Sequence, residues 1–176
     1  MKFSSTQNLV LAALFLALGL ALPFVTGQIP AMGQALLPMH LPVIIGGFVL
    51  GGPMGLLIGF TTPILRSLIF GMPPIFPTAT AMAFELAAYG LLAGLLYRVL
   101  SKGTLRVYLS LIGAMLGGRV VWGLVSLVLF GLQGRAFSWQ LFTAGAFINA
   151  VPGIVVQLIL IPLLVISLER RRLINE

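Results

Sequence analysis

The sequence predicts an all-α integral membrane protein, a single domain of six transmembrane helices in a compact bundle. Three observations predict it. Of 176 residues 60% are hydrophobic and only 7% are charged, whereas soluble domains carry about 25% charged residues. The apolar residues fall into six segments separated by Gly, Pro and charge. Six spans of ~20 residues use about 120 positions and leave short loops. The net charge of +7 does not indicate nucleic acid, because the basic residues are scattered between apolar blocks and form no face that could track phosphates. The absence of Cys excludes disulfides, Cys-ligated zinc, iron–sulfur clusters and thiol nucleophiles.

The first segment runs from about Gln7 to Phe24, and Pro23 disturbs its end. It is too long for the core of a cleaved signal, and no small-residue cleavage site ends it. Thr26–Leu37 reads as an uncharged loop. The second segment, about Pro38 to Leu50, is short, and Gly51-Gly52-Pro53 is a break that neither helix passes through. The third covers Met54–Phe70 with Pro63 inside; these two short, Gly-rich segments could also form a re-entrant pair. Gly71–Pro77 holds three prolines and cannot be helical throughout. The fourth segment spans Thr78–Leu100, the fifth about Leu105–Phe130. The sixth runs from about Phe142 to Leu168, with Pro152 and Pro162 inside it.

Orientation follows from Lys and Arg. One side receives Lys2, Arg98, Lys102, Arg106, Arg170, Arg171 and Arg172, seven residues, against Arg135 alone on the other. Both termini are therefore cytoplasmic, and Thr26–Leu37, Gly71–Pro77 and Leu132–Gln140 face outward.

Four ionisable residues fall within the spans or at their outer edges: His40, Arg66, Glu85 and Arg119. A charge at helix centre costs ~3 kcal/mol or more, so such groups face the interior and mark function. At ~1.5 Å per residue, Arg66 lies about 7 Å below the outer surface, Glu85 and Asn149 about 10 Å, and Arg119 about 17 Å. His40 stands at the outer start of the second span. The inner half of every span reads as almost purely apolar. This distribution predicts a pocket open to the outside; a channel needs polar lining at all depths.

Each residue also has a structural reading. Glu85 can serve as an internal ion-pair partner of Arg66 or Arg119. Two arginines against one glutamate still leave a positive charge, which favours an anionic ligand group such as a carboxylate. His40 can instead bond a carbonyl freed by Pro38 or Pro42, and Asn149 can cap a broken helix. Tyr89, one turn below Glu85 on the same face, suits packing or ligand contact equally. Trp122 lies near Arg119, and Trp139 reads as an interfacial anchor. Met32 and Met72 are in outer loops, where flexible thioethers suit a gate. Ala13, Ala17 and Ala21 lie four apart on one face of the first span, a spacing that lets another helix approach, whether inside the bundle or from a partner. Gly113 and Gly117 are read as internal packing.

Catalytic constellations are missing. There is no Asp, so no Ser/His/Asp triad, and a lone His40 with one buried Glu85 cannot complete a zinc site. No Gly-rich phosphate loop with Lys is present. The chain is expected to be no enzyme, to hold no cofactor or metal, and to draw energy for uphill transport from a partner or an ion gradient.

Four stretches carry a family resemblance: Ala13-x-x-x-Ala17; Leu37-Pro38-Met39-His40-Leu41-Pro42-Val43; Gly71-Met72-Pro73-Pro74; and Ala83-Phe84-Glu85-Leu86-Ala87-Ala88-Tyr89-Gly90. Their order resembles the substrate-binding S components of energy-coupling factor (ECF) vitamin transporters, in the branch containing pantothenate, hydroxymethylpyrimidine and pyridoxine carriers. The resemblance implies a multi-pass plasma-membrane protein that captures a vitamin at its outer face. It implies docking of the Ala13/Ala17 face on a transmembrane T component carrying two cytoplasmic ATPases, and gating by the three outer loops. Arg66, Glu85, Arg119 and Asn149 are then expected to line the pocket, with His40 and Tyr89 at its walls. Met72 and the stretch Gln28–Gln34 would form its lid. The arginine surplus favours pantothenate over the two ring compounds. The rival reading is a self-sufficient proton-coupled carrier with Glu85 as its protonation site.

Overall fold

The computed structural model describes residues 4–26, 29–171 and 174; Lys2, Gln28 and Arg172 lie outside them. Its helices are α1 (Ser5–Ala21), α2 (Pro30–Leu36), α3 (His40–Leu50), α4 (Gly52–Phe70), α5 (Thr80–Val99), α6 (Thr104–Leu132), α7 (Trp139–Thr143) and α8 (Val151–Arg170). A 3₁₀ turn, Leu22–Thr26, ends α1, and wide turns at Ile75–Ala79 and Ala144–Ile148 precede α5 and α8. Six of the helical stretches are long and apolar enough to cross a membrane.

Local chemistry explains the boundaries. Ser4 and Gln7 form a reciprocal capping box at the start of α1. Gly51 separates α3 from α4 at φ +92°, a conformation open to a residue without Cβ. Pro63 sits inside α4, where membrane helices tolerate it, and Thr62 Oγ1 beside it donates to the Ile58 carbonyl at 2.6 Å.

α5 is the central helix and packs against α3, α4 and α6. Its contact with α3 and α4 is backbone on backbone. A Cβ built on Gly47 or Gly55 would strike the Gly90 carbonyl, and one on Gly59 the Leu86 carbonyl. Without a hydrophobic drive between helices in lipid, such close approach supplies much of their attraction. Gly113 and Gly117 of α6 meet Leu96 and Leu92 of α5, the internal role expected of them. The remaining core joins Ile44, Phe48, Tyr89, Tyr97, Leu111 and Ile161.

The lipid-facing surfaces are equally plain. On α6, Leu105, Leu109, Ile112, Leu116, Val120 and Leu124 are all exposed, and on α1 Leu9, Val10, Leu14 and Leu18. Ala13, Ala17 and Ala21 are exposed too. α1 turns Phe15 and Gly19 toward α3 and α4, so the alanine stripe takes no part in packing the bundle.

Three expectations need correction. Thr26–Leu37 is not all loop: Pro30 opens α2 and Leu37, in the left-handed region, closes it. The sixth segment is not continuous. The chain turns at Asn149–Ala150, and Pro152 stands in the first turn of α8, where a missing N–H costs nothing. The inner half is not purely apolar. There Glu169 accepts from the Tyr97 hydroxyl and from Arg106 Nη2 at 2.7 Å, and the guanidinium lies 4.0 Å from the Tyr97 ring centroid.

Substituting Gly90→Val should disrupt the α3–α4–α5 contact and cost more than about 3 kcal/mol, seen as loss of the monodisperse peak in detergent. Gly33→Ala, where a Cβ meets nothing within 4 Å, should leave that peak and the melting temperature unchanged or slightly raised.

Candidate functional site

A cavity of about 430 Å³ lies in the outer half of the bundle, within the ~300–1,000 Å³ range of small-molecule sites. Its roof is α2, through Pro30, Gly33, Gln34 and Leu37; one side is the Met72-Pro73-Pro74 loop. α5 contributes Met82 and Glu85, α6 contributes Arg119 and Trp122, and Gly145 and Asn149 close the circle.

At the floor, Arg119 Nη1 donates to Glu85 Oε1 at 2.6 Å, and His40 Nε2 stands 3.6 Å from the same oxygen. All three side chains are almost wholly buried. Glu85 reaches Arg119 because both stand on the α5–α6 contact face, which the small residues Gly113, Gly117 and Gly118 hold close. The His40 ring is supported edge-on by Tyr89, with centroids 5.1 Å apart.

Arg66 behaves differently. Although it is 2% exposed, it makes no bond to Glu85. Its Nη1 donates to the Leu20 carbonyl in the last turn of α1, one of the acceptors a helix end leaves open. Its guanidinium lies 4.9 Å from the Phe24 ring centroid and 5.2 Å from that of Phe70. Among the described residues Arg66 has no carboxylate partner. His40 aside, the charged side chains on the cavity wall are therefore Arg66 and Arg119 against Glu85 alone, a surplus of one cation. The rest of the lining is dominated by Pro, Met and Trp122.

The structure thus brings Arg66, Glu85, Arg119, Asn149, His40, Met72 and Gln34 onto one cavity. Tyr89 is not on its wall; it lies one layer beneath, packed on His40 and Gly118. Asn149 is exposed at the cavity rim, not buried inside a helix, and its side chain caps nothing. Met32 is exposed and outside the lining, while Gln28 is outside the described residues. Trp139 opens α7 and is 72% exposed. Sequence reading overlooked Gln157, wholly buried on α8 with neither amide atom bonded; a lone polar residue in an apolar run was the signal. Among the described residues no group of three or more His, Cys, Asp or Glu could hold a metal.

Residues 7–165 match the family model of the ECF transporter substrate-specific component. The chain belongs to that family, and is thereby a membrane-embedded binding subunit of a transporter that works with a T component and ATPases. No curated protein and no solved structure matches it.

Removing one member of the floor pair leaves an uncompensated buried charge, which costs about 3–5 kcal/mol. Arg119→Leu should therefore lower the melting temperature of the ligand-free chain sharply. The double variant Glu85→Leu/Arg119→Leu should recover most of that loss, and a thermal-shift assay in detergent reads the difference.

Proposed function

We propose that this chain captures a small, water-soluble vitamin at the outer face of the plasma membrane, with pantothenate, which carries one negative charge, ranked before the uncharged pyridoxine or hydroxymethylpyrimidine. The observation that carries the reading is the unmatched cation on the cavity wall. A guanidinium without a carboxylate partner on the cavity wall favours a ligand carboxylate through charge-assisted bonds. Uncharged ring compounds would leave that charge unanswered, although Glu85 and Asn149 could read their ring nitrogen and hydroxyl groups. The prolines, Met82 and Trp122 suit the aliphatic body of such a solute.

Delivery would proceed through the T component and two ATPases, since the described residues hold no nucleotide-binding loop. The exposed Ala13/Ala17/Ala21 stripe is the docking face in this reading. It is smooth enough for a partner helix to approach closely, and none of the described residues covers it.

Equilibrium titration of the purified chain, read by Trp122 on the cavity wall, tests the assignment. Pantothenate should bind one-to-one at sub-micromolar concentration without ATP or partners. Arg66→Gln should weaken pantothenate by about 10–100-fold, the worth of a charge-assisted bond, and pyridoxine far less. Equal loss for both compounds would make Arg66 a structural residue, and flat titrations with a ligand-free preparation would remove the vitamin reading. Ala17→Trp should abolish uptake in cells carrying the full transporter while the binding constant stays put. Uptake by the chain alone in proteoliposomes, abolished by a protonophore, would establish the rival carrier instead.

A further inference from the structure

Three helices carry buried stripes with a spacing of four: Glu85, Tyr89, Ala93 and Tyr97 on α5; Gln157, Ile161 and Val165 on α8, continuing to the partly buried Glu169; and Val107, Leu111, Met115 and Arg119 on α6. Their register is set at the cytoplasmic end, where Tyr97, Arg106 and Glu169 are bonded together. Counting outward from that cluster, Glu85 stands twelve residues above Tyr97, Gln157 twelve above Glu169, and Arg119 thirteen above Arg106. At ~1.5 Å per residue all three lie about 18–20 Å from the cluster, in one layer. The 2.6 Å bond between Arg119 and Glu85 verifies the count for two of the three helices.

This layer concentrates hydrogen-bonding capacity that the fold leaves unused. Seven buried side-chain atoms of the described residues lack a partner. Two, Arg106 Nε and Ser110 Oγ, are near the cytoplasmic end. The other five are Nδ1 and Nε2 of His40, Nη2 of Arg119, and both amide atoms of Gln157. A buried amide left unbonded costs about 1–3 kcal/mol, and Gln157 pays it at both ends with 0% exposure. One turn outward on the same stripe, Gly153 touches the backbone of Ala35 and Leu36 in α2, the cavity roof. Gln157 therefore stands one turn inward of the point where α8 meets α2, the helix that roofs the pocket.

We propose that Gln157 is the innermost specificity-determining residue of the vitamin pocket, and that it bonds a hydroxyl or carboxamide at the inner end of the solute. This rests on the binding role proposed above. An amide both donates and accepts, so it matches a group that does the same and discriminates against a methyl or a second anion. It is not on the cavity wall as it stands. For a ligand to reach it a side chain of the floor must turn aside, and the floor is tied by few bonds: neither His40 ring nitrogen is bonded, and Arg119 is held to Glu85 through Nη1 alone. The solute thus carries its charge to the arginines and its neutral polar end to α8.

The test compares wild type with Gln157→Leu and the unbranched Gln157→Met, using pantothenate and pyridoxine as probes and the ligand-free melting temperature as a second readout. The assignment expects both variants, without ligand, to melt at or above wild type, because an unpaired buried amide has been removed. It expects binding of whichever probe the wild type takes to weaken about tenfold or more. Unchanged binding in either folded variant overturns it. So does a fall in the ligand-free melting temperature of both variants, which would show the amide bonded within the fold. Should the wild type bind neither probe, the vitamin reading fails on its own account, and the melting temperatures alone decide whether Gln157 is free to serve a ligand.

Discussion

A bilayer offers no water to a buried charge, so every ionised group inside this bundle must be answered by the protein or by a ligand. That constraint organises the molecule. Arg119 answers Glu85 between α6 and α5, and Glu169 gathers Tyr97 and Arg106 at the cytoplasmic end. Arg66 is answered only by a helix-terminal carbonyl and two phenyl rings. Each arrangement ties two or more helices together, and Arg66, which has no carboxylate partner among the described residues, lies on the cavity.

The glycine contacts make those arrangements possible. α3, α4 and α5 approach backbone to backbone at Gly47, Gly55, Gly59 and Gly90, forming a tight block at the centre. α1, α6 and α8 lie around it and show long apolar stripes to lipid. The cavity is lined by residues of the loops and helix ends at one end of the bundle, and the Tyr97–Glu169–Arg106 cluster lies at the other. A binding subunit that hands its cargo to partner proteins has no need of an internal path through the membrane. The geometry is a receptacle, which suits the S-component family better than a carrier with two gates.

Among the surfaces, the alanine stripe shows how a pattern acquires meaning only in three dimensions. Spacing of four small residues is compatible with internal packing or with a partner, and the sequence alone left both open. In the fold, Phe15 and Gly19 occupy the inward face, so Ala13, Ala17 and Ala21 remain outside.

By itself the sequence determined the six spans and the identity of most polar residues around the pocket. Hydrophobic length, Gly-Pro breaks and the Lys/Arg asymmetry are one-dimensional signals, and ionisable residues in apolar runs are conspicuous. Tertiary structure alone decided which charges meet. Whether Glu85 takes Arg66 or Arg119 depends on helix rotation and interaxial distance, which small residues at the α5–α6 contact set. It also decided that α2 roofs the cavity, that Asn149 sits at a turn because Pro152 begins a helix, and that Tyr89 lies beneath the floor. Gln157 is visible along the chain as a lone polar residue in an apolar run, but its burial without a partner is a property of packing that only the tertiary structure shows.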